Sequence, residues 1–217
     1  MKRGAFTNDL RLLAVVGPPY VSLESAPDAC IAARAGGVTA IQVRWKQTPA
    51  KELAKLTEEL VASLDIPVYV NDRVDVALAA GASGVHLGAD DFDPVLARAM
   101  SPDSFLVGVS VGTEEEANRA LQADVGYWSI GSIYHTSTKS DAGLPVGTEG
   151  FKRLAALAPS GMPVIAIGGI DVSNVAGVVR AGACGVAVVS SVFGTLDIEK
   201  NARCMRAIID EELAASS

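Results

Sequence analysis

Eight short apolar runs, each followed by a longer helical pattern, constrain this chain more than any other feature. Read as β-strands, the runs cover residues 11–17, 40–45, 67–72, 84–88, 105–111, 126–133, 163–169 and 185–191. Such alternation predicts parallel strands joined by right-handed crossovers, and eight of these units close into a barrel. A doubly wound sheet is the alternative, but "VVGPPY" after the first strand lacks the glycine fingerprint of a dinucleotide site. We therefore predict the α/β class and a single (β/α)8 TIM-barrel domain over residues 1–217.

Two helical patterns support this reading. The segment "PAKELAKLTEELVASL" has Pro49 and Glu52 near its start and apolar residues at helical spacing. The segment "TEEEANRALQA" begins with Thr113, a predicted N-cap, and continues with acidic residues in its first turn. No Pro- or Ser-rich linker divides the chain, which agrees with one domain.

Charge and composition narrow the class of partner. With 18 basic and 25 acidic residues, the net charge is −7 and the isoelectric point about 4.8. This balance argues against nonspecific binding of nucleic acid or of an anionic membrane. The sequence has no apolar run long enough to span a bilayer and no recognisable signal peptide, so we expect a cytoplasmic protein that binds neither nucleic acid nor membrane. The three cysteines form no C-x-x-C motif and are expected to be small core residues.

Polar residues gather where predicted strands end, which is where barrels of this kind place their active sites. The stretch "IQVRWK" puts Gln42, Arg44 and Lys46 on one strand face and leaves Trp45 on the packing face. Asp72 and Asp91 follow neighbouring strands, and Mg²⁺ is usually held by one or two carboxylates together with substrate phosphates. The alternative is that Asp72 caps the following helix and that Asp91 lies in a solvated loop.

A second anion-binding region is predicted from the last two strands. The stretch "GGI" before a helix, followed by "GVAVVSS", is typical of a backbone phosphate site. The hydroxyl-rich loop over 134–143, with Lys139 in its middle, has the length of a lid over anions. Two separate anion-binding regions favour an enzyme that joins or exchanges two phosphorylated substrates. We assign no catalytic role to His86, expected to be a satisfied core residue, or to His135.

Five motifs of this sequence together resemble thiamine phosphate synthase, over about residues 35 to 195. They are "QVRWK", "NDRVDVALAAGASGVHLGADD", "VGVSV", "GSIYHTSTKSDAGLPVGTEG" and "AIGGIDVSNVAGVVRAGACGVAVVSS". The resemblance implies a transferase that condenses 4-amino-5-hydroxymethyl-2-methylpyrimidine diphosphate with 4-methyl-5-(2-phosphoethyl)thiazole, releasing pyrophosphate. It further implies that Asp72 and Asp91 hold Mg²⁺ on the diphosphate. The implied contacts to the pyrimidine diphosphate are Gln42, Arg44, Lys46, Asn71, Ser110 and Lys139, of which Arg44, Lys46, Ser110 and Lys139 are the implied catalytic residues. The implied contacts to the thiazole phosphate are Thr136, Ser137, Thr138, Gly169, Val189 and Ser190.

The implied reaction is dissociative, with pyrophosphate leaving before the thiazole nitrogen attacks a pyrimidine methyl cation. Positive groups around the leaving group would then stabilise its charge, and no protein nucleophile is needed. The sequence indeed contains no recognisable nucleophile–base pair.

The sequence departs from the family pattern at several points. The first strand ends in "AVVGPPY", Trp45 stands where Glu is frequent, and Ala89 stands in place of Gln. A His that is frequent in the family after "GVS" is replaced near Gly112, and "GSIY" precedes the lid. None of these changes removes a predicted metal or diphosphate ligand. Three alternatives stay open: a thiazole tautomerase-type isomerase, a non-catalytic module that binds thiazole or thiamine phosphate, and a phosphosugar isomerase or lyase on the same barrel. The oligomeric state is open too, a homo-oligomer included.

Overall fold

A computed structural model of the protein describes residues 9–136 and 144–216. Eight parallel strands form a closed barrel in sequence order, and the barrel is closed by pairing of the first strand with the eighth. Each predicted run contains one strand, so the predicted (β/α)8 barrel is confirmed. The strands are β1 (Leu12–Val16), β2 (Ala40–Val43), β3 (Val68–Asn71), β4 (Gly84–Leu87), β5 (Leu106–Val111), β6 (Tyr127–Gly131), β7 (Val164–Ile167) and β8 (Val186–Val188).

Helices cover the outside of the barrel between successive strands. They are α1 (Ala26–Ala35), α2 (Ala50–Ser63), α3 (Val74–Ala79), α4 (Pro94–Ala99), α5 (Glu114–Ala120), α6 (Gly147–Ala155), α7 (Val175–Arg180), α8 (Ser190–Phe193) and α9 (Ile198–Ala215). The long α9 closes the ring by packing against α1 and α7. Across the residues described, no helix is both long and apolar enough to cross a membrane.

The strands divide the apolar residues into two layers because successive side chains point to opposite faces. Residues on the outer face of β2, such as Ile41 and Val43, pack with helical residues such as Leu53 of α2 in one large cluster. Trp45 belongs to that cluster and is only 8% exposed, so the prediction that it packs rather than enters the pocket is confirmed. A smaller cluster fills the barrel interior; it includes Leu13, Tyr69, Leu106, Tyr127 and Ile165.

The predicted N-cap of α5 is present in full. The side chain of Thr113 accepts a hydrogen bond from the backbone N–H of Glu116, and the Glu116 carboxylate accepts one from the backbone of Thr113. This reciprocal capping box satisfies donors that the first helical turn would otherwise leave unpaired. It also brings Glu116 to the mouth of the barrel, where the site lies.

Candidate active site

The carboxyl ends of the strands open into a pocket of about 410 Å³, within the usual range for small-molecule sites. Every predicted site residue that the structure describes lines this pocket. They are Gln42, Arg44, Lys46, Asn71, Asp72, Asp91, Ser110, Thr136, Gly169, Val189 and Ser190. The predicted residues Ser137, Thr138 and Lys139 lie outside the described residues. The structure thus brings together groups from strands β2 to β5 and from β7 and β8.

A line of hydrogen bonds orders one wall of the pocket. Gln42, on the inward face of β2, donates from Nε2 to Oδ1 of Asn71 at 2.7 Å. Asn71, at the end of β3, donates from Nδ2 to Oδ1 of Asp72 at 2.5 Å. The Asp72 side chain is therefore oriented by its neighbours on β2 and β3 before any ligand arrives.

Asp72 has a backbone φ of 65°, in the left-handed region that few residues other than glycine adopt. Aspartate tolerates that region better than most side chains, and such backbone conformations are concentrated at functional sites. The N-cap of α3 is Arg73, whose side chain makes no capping bond, and Asp72 precedes it. The alternative that Asp72 caps this helix is therefore wrong. Its Oδ2 lies 3.3 Å from Nζ of Lys46 instead.

Asp91 faces Asp72 across the ends of β3 and β4. Its Oδ2 accepts a hydrogen bond from the backbone N–H of Gly88 at 2.7 Å, which holds the carboxylate over the pocket. Burial, together with the hydrogen bond to Asp91 and its charge, raises the pKa of Asp72 to about 6. Burial alone would raise the pKa of Asp91 as well, but the hydrogen bonds to Asp72 and Gly88 lower it. The two carboxylates therefore interact, and a proton is held by Asp72 rather than by Asp91.

The donor set fits a hard divalent cation. Both carboxylates offer oxygen atoms, the ligand type that Mg²⁺ prefers. Within residues 9–136 and 144–216, no cluster of three or more His, Cys, Asp or Glu side chains is arranged to hold a metal. Two carboxylates alone leave room for water and ligand oxygens, which is how Mg²⁺ is commonly held next to substrate phosphates.

On the opposite side of the pocket, the loop after β7 brings backbone close to the site. Gly168 and Gly169 have φ values of 100° and 65°. A Cβ at Gly168 would lie 2.4 Å from Oγ of Ser132, and a Cβ at Gly169 would lie 2.6 Å from the carbonyl oxygen of His135. Glycine is therefore required twice in succession. Val189 and Ser190, after the end of β8, line the same pocket, so backbone from both segments is available to an anion.

The pocket lining also contains polar residues that the sequence analysis did not assign to the site, among them His86, Glu116 and Ser129. His86 is the satisfied core histidine that was expected, but it also reaches the pocket floor. Glu116 accepts hydrogen bonds from the backbone N–H groups of Gly112, at 2.5 Å, and Thr113, at 3.2 Å. The T-x-x-E spacing of a capping box was the signal that could have placed it. Ser129 is 2% exposed, and its Oγ has no hydrogen-bond partner among the described residues.

Comparison with known proteins agrees with this geometry. The family model described as thiamine monophosphate synthase matches residues 12–192. A thiamine-phosphate synthase of Agrobacterium fabrum is 39% identical over 213 residues, covering 95% of this chain and 97% of the relative. One from a Roseiflexus species is 42% identical over 189 residues, covering 86% and 79%.

Solved structures extend the likeness to three dimensions. Thiamine phosphate pyrophosphorylase from Pyrococcus furiosus superposes with a TM-score of 0.85 at 34% identity, covering 96% of this chain and 99% of that one. A 3-hexulose-6-phosphate synthase, at 21% identity and a TM-score of 0.66, shares the fold alone. With a family model that spans most of the chain and relatives near 40% identity over nearly its full length, the chain belongs to the thiamine monophosphate synthase family.

Proposed function

We propose that the protein is a transferase that condenses 4-amino-5-hydroxymethyl-2-methylpyrimidine diphosphate with 4-methyl-5-(2-phosphoethyl)thiazole to give thiamine phosphate and pyrophosphate. The observation that carries the proposal is the convergence in one pocket of a paired carboxylate site and two separate anion-binding regions. The names of the relatives support the choice of substrates, because these proteins are thiamine-phosphate synthases.

In the proposed reaction, Arg44 and Lys46 bind the diphosphate and stabilise the charge that grows on it as it leaves. Ser110 adds a hydrogen bond to the same group, and Lys139 would contribute a third cation from the loop. Gln42 and Asn71, already linked by a hydrogen bond, orient the pyrimidine diphosphate. Asp72 and Asp91 would hold Mg²⁺, which would neutralise part of the diphosphate charge.

The thiazole phosphate would lie on the other side of the pocket. Thr136, Ser137 and Thr138 would contact it, and the backbone at Gly169, Val189 and Ser190 would bind its phosphate. The two substrates are then held face to face, so that the thiazole nitrogen is in position when pyrophosphate departs. Three apolar side chains also line the pocket, Val15, Ile167 and Ala187. They would exclude water from the reactive pyrimidine methyl group.

The proposal also covers the extent of the domain and the cellular compartment. The whole of residues 1–217 would act as one domain. The enzyme would work in the cytoplasm, because multiply charged substrates do not cross a bilayer unaided.

The test is a two-substrate assay with Mg²⁺ in which thiamine phosphate and pyrophosphate are both measured. We expect equimolar formation of the two products, dependent on both substrates and lost with EDTA. Isomerisation of the thiazole without pyrophosphate release would instead show a tautomerase, and tight binding without any product would show a sensor.

A further inference from the structure

His86 of β4 is bonded through both ring nitrogens, although the proposed reaction gives it no role. The side chain faces the barrel interior and is 7% exposed. Its Nδ1 lies 2.9 Å from the phenol oxygen of Tyr127, and its Nε2 lies 3.0 Å from Oγ of Ser110. A hydrogen-bonded series, Tyr127–His86–Ser110, therefore runs from the barrel core to the pocket and ends at a proposed diphosphate contact.

The sequence provides the space that this series needs. In the sheet register, Gly108 of β5 lies between His86 on β4 and Tyr127 on β6. A Cβ at Gly108 would lie 2.1 Å from Cε1 and Cζ of the Tyr127 ring. Because this position has no side chain, the tyrosine crosses β5 and stacks on the imidazole, with ring centroids 5.6 Å apart and planes at 27°.

The surroundings of Tyr127 decide which nitrogen of His86 carries the proton. Burial raises the pKa of the Tyr127 phenol well above its usual value, so the phenol keeps its proton. Within residues 9–136 and 144–216, the phenol oxygen is hydrogen-bonded to His86 and to no other group. If Nδ1 donated to the phenol, the phenol proton would be buried without an acceptor, which is unfavourable. Tyr127 therefore donates to Nδ1, which leaves the ring proton on Nε2.

The consequence reaches Ser110. With its proton on Nε2, His86 donates to Oγ of Ser110, so the hydroxyl oxygen is already an acceptor in that bond. The hydroxyl proton of Ser110 is then directed elsewhere, and the pocket is the side on which a ligand acceptor would lie. A serine hydroxyl held in one orientation is a better hydrogen-bond donor to a developing charge than a freely rotating one, because it needs no reorganisation in the transition state.

We propose that His86 is a positioning residue that acts through Ser110, presenting the serine hydroxyl proton to a phosphate oxygen of the departing diphosphate, and that Tyr127 selects the tautomer of His86 which does so. This inference rests on the proposed function. No proton leaves any of the three residues, and no covalent bond to them forms or breaks.

A double-mutant cycle on turnover tests the inference. Ser110→Ala should lower kcat by about ten- to a hundredfold, the range for a hydrogen bond to a charged group. His86→Leu should cause a similar loss in the wild-type background but less than about a twofold further loss in the Ser110→Ala background. If His86→Leu costs the same factor in both backgrounds, His86 does not act through Ser110 and the inference is overturned.

A pair of amide variants keeps the test independent of folding. Gln at position 86 can place an N–H where Nε2 is and so reach Ser110, whereas Asn can place one only near Nδ1. We expect His86→Gln to retain at least half of the wild-type kcat and His86→Asn to fall with His86→Leu. Equal activities of the Gln and Asn variants would overturn the inference.

Tyr127→Phe has a matched control in Tyr69→Phe, because Tyr69 lies in the same interior cluster with its ring centroid 6.3 Å from that of Tyr127. We expect kcat to fall severalfold in Tyr127→Phe and to stay at the wild-type value in Tyr69→Phe. Equal values in the two variants would overturn the role of Tyr127.

Binding of Mg²⁺ with inorganic pyrophosphate, measured by calorimetry on the same variants, separates this inference from the proposed function. If the wild-type protein binds pyrophosphate but makes no thiamine phosphate, the proposed function fails, and non-additive losses of affinity in the His86 and Ser110 variants still support positioning. Additive losses overturn it. If the wild-type protein neither binds pyrophosphate nor turns over, both are overturned.

Discussion

Arg44 is the residue on which the proposed chemistry depends most directly. It continues the inward face of β2 beyond Gln42 and lines the same pocket as the paired carboxylates. If its guanidinium stabilises departing pyrophosphate, Arg44→Ala should reduce kcat by more than about tenfold, equivalent to about 1.4 kcal/mol of transition-state stabilisation. Steady-state kinetics with both substrates measures this loss.

The control for Arg44 is Arg34→Ala. Arg34 is on α1, forms an exposed ion pair with Asp65 at 2.6 Å and lies away from the pocket. Its removal should leave kcat within about twofold of wild type, because exposed ion pairs contribute little. An unchanged rate in Arg44→Ala would mean that Arg44 is not near the leaving group.

The raised pKa of Asp72 predicts that the proposed Mg²⁺ binding depends on pH. The pKa of Asp72 rises from 3.8 to about 6 in the folded protein, so the fold favours the protonated form. Without metal, the contribution of Asp72 to folding stability should therefore be lost as pH rises from about 4 to 6. If Mg²⁺ binds the Asp72–Asp91 pair, it competes with the proton on Asp72, so we expect it to raise the melting temperature at pH 8 much more than at pH 5.

Thermal unfolding with Mg²⁺ or EDTA at the two pH values measures this effect. Asp72→Asn and Asp91→Asn should each reduce the Mg²⁺-induced rise at pH 8 and weaken the Mg²⁺ dependence of turnover. Asp90→Asn is the matched control, because Asp90 is exposed and does not line the pocket. A Mg²⁺ titration that is unaltered in Asp91→Asn would refute the role of Asp91 as a ligand.

Ser129 and Ser132 give opposite predictions for the same substitution. Ser129 is 2% exposed with an unpaired Oγ among the described residues, whereas Oγ of Ser132 donates to the carbonyl of Tyr134 at 2.6 Å. Ser129→Ala should raise the free energy of unfolding by about 1 kcal/mol, because it removes a buried polar group without a partner. Ser132→Ala should lower it by about 1 kcal/mol. Denaturant unfolding of both variants measures the difference, and destabilisation by Ser129→Ala would contradict the first expectation.

At the scale of elements, replacing glycine by alanine should have opposite effects on stability in the loop after β7 and in α7. A Cβ at Gly168, where φ is 100°, would lie 2.8 Å from Cα of Ser132, so backbone would have to move. Gly168→Ala should therefore destabilise the fold by more than about 1 kcal/mol and weaken binding of the thiazole phosphate. Calorimetric binding and denaturant unfolding measure the two effects.

Gly177 is the matched control within the next element. It lies inside α7, and a Cβ there would meet no atom within 4 Å. Gly177→Ala should stabilise the protein by about 0.5–1 kcal/mol, because alanine loses less conformational entropy in a helix than glycine does. If both substitutions shift stability in the same direction, the conformational argument for Gly168 is wrong.

Element boundaries show where sequence patterns stop being informative. The run 185–191 is apolar up to its final serines and was predicted as one strand, yet β8 ends at Val188 and α8 begins at Ser190. Pairing with β1 and β7 involves residues 186–188 only. On one side β7 ends at Ile167, which pairs with Ala187, whereas β1 continues to Val16 beyond its last pairing with Val188. The turn into α8 at Val189 is therefore not set by the apolar character of the run.

At the scale of the whole molecule, barrel closure predicts cooperative unfolding. Each strand pairs with two neighbours, so no part of the barrel can be removed without exposing unpaired backbone. The two tryptophans of the chain report on distant parts of the barrel, Trp45 beyond β2 and Trp128 on β6. We expect the fluorescence and far-ultraviolet circular dichroism transitions in denaturant to coincide, as for one domain. Two separated transitions would contradict the single-domain proposal.

The sequence alone determined the barrel, the face of β2 that enters the pocket and which predicted residues line the pocket. All three depend on local periodicity and on the rule that parallel strands present their carboxyl ends together. Only the tertiary structure decided that Asp72 turns to Asp91 and Lys46 rather than to its own helix. It likewise decided that His86 joins Tyr127 to Ser110. The physical reason is that these contacts link side chains on different strands, whose distances are set by sheet register and by the space left at Gly108, and neither can be read from spacing along the chain.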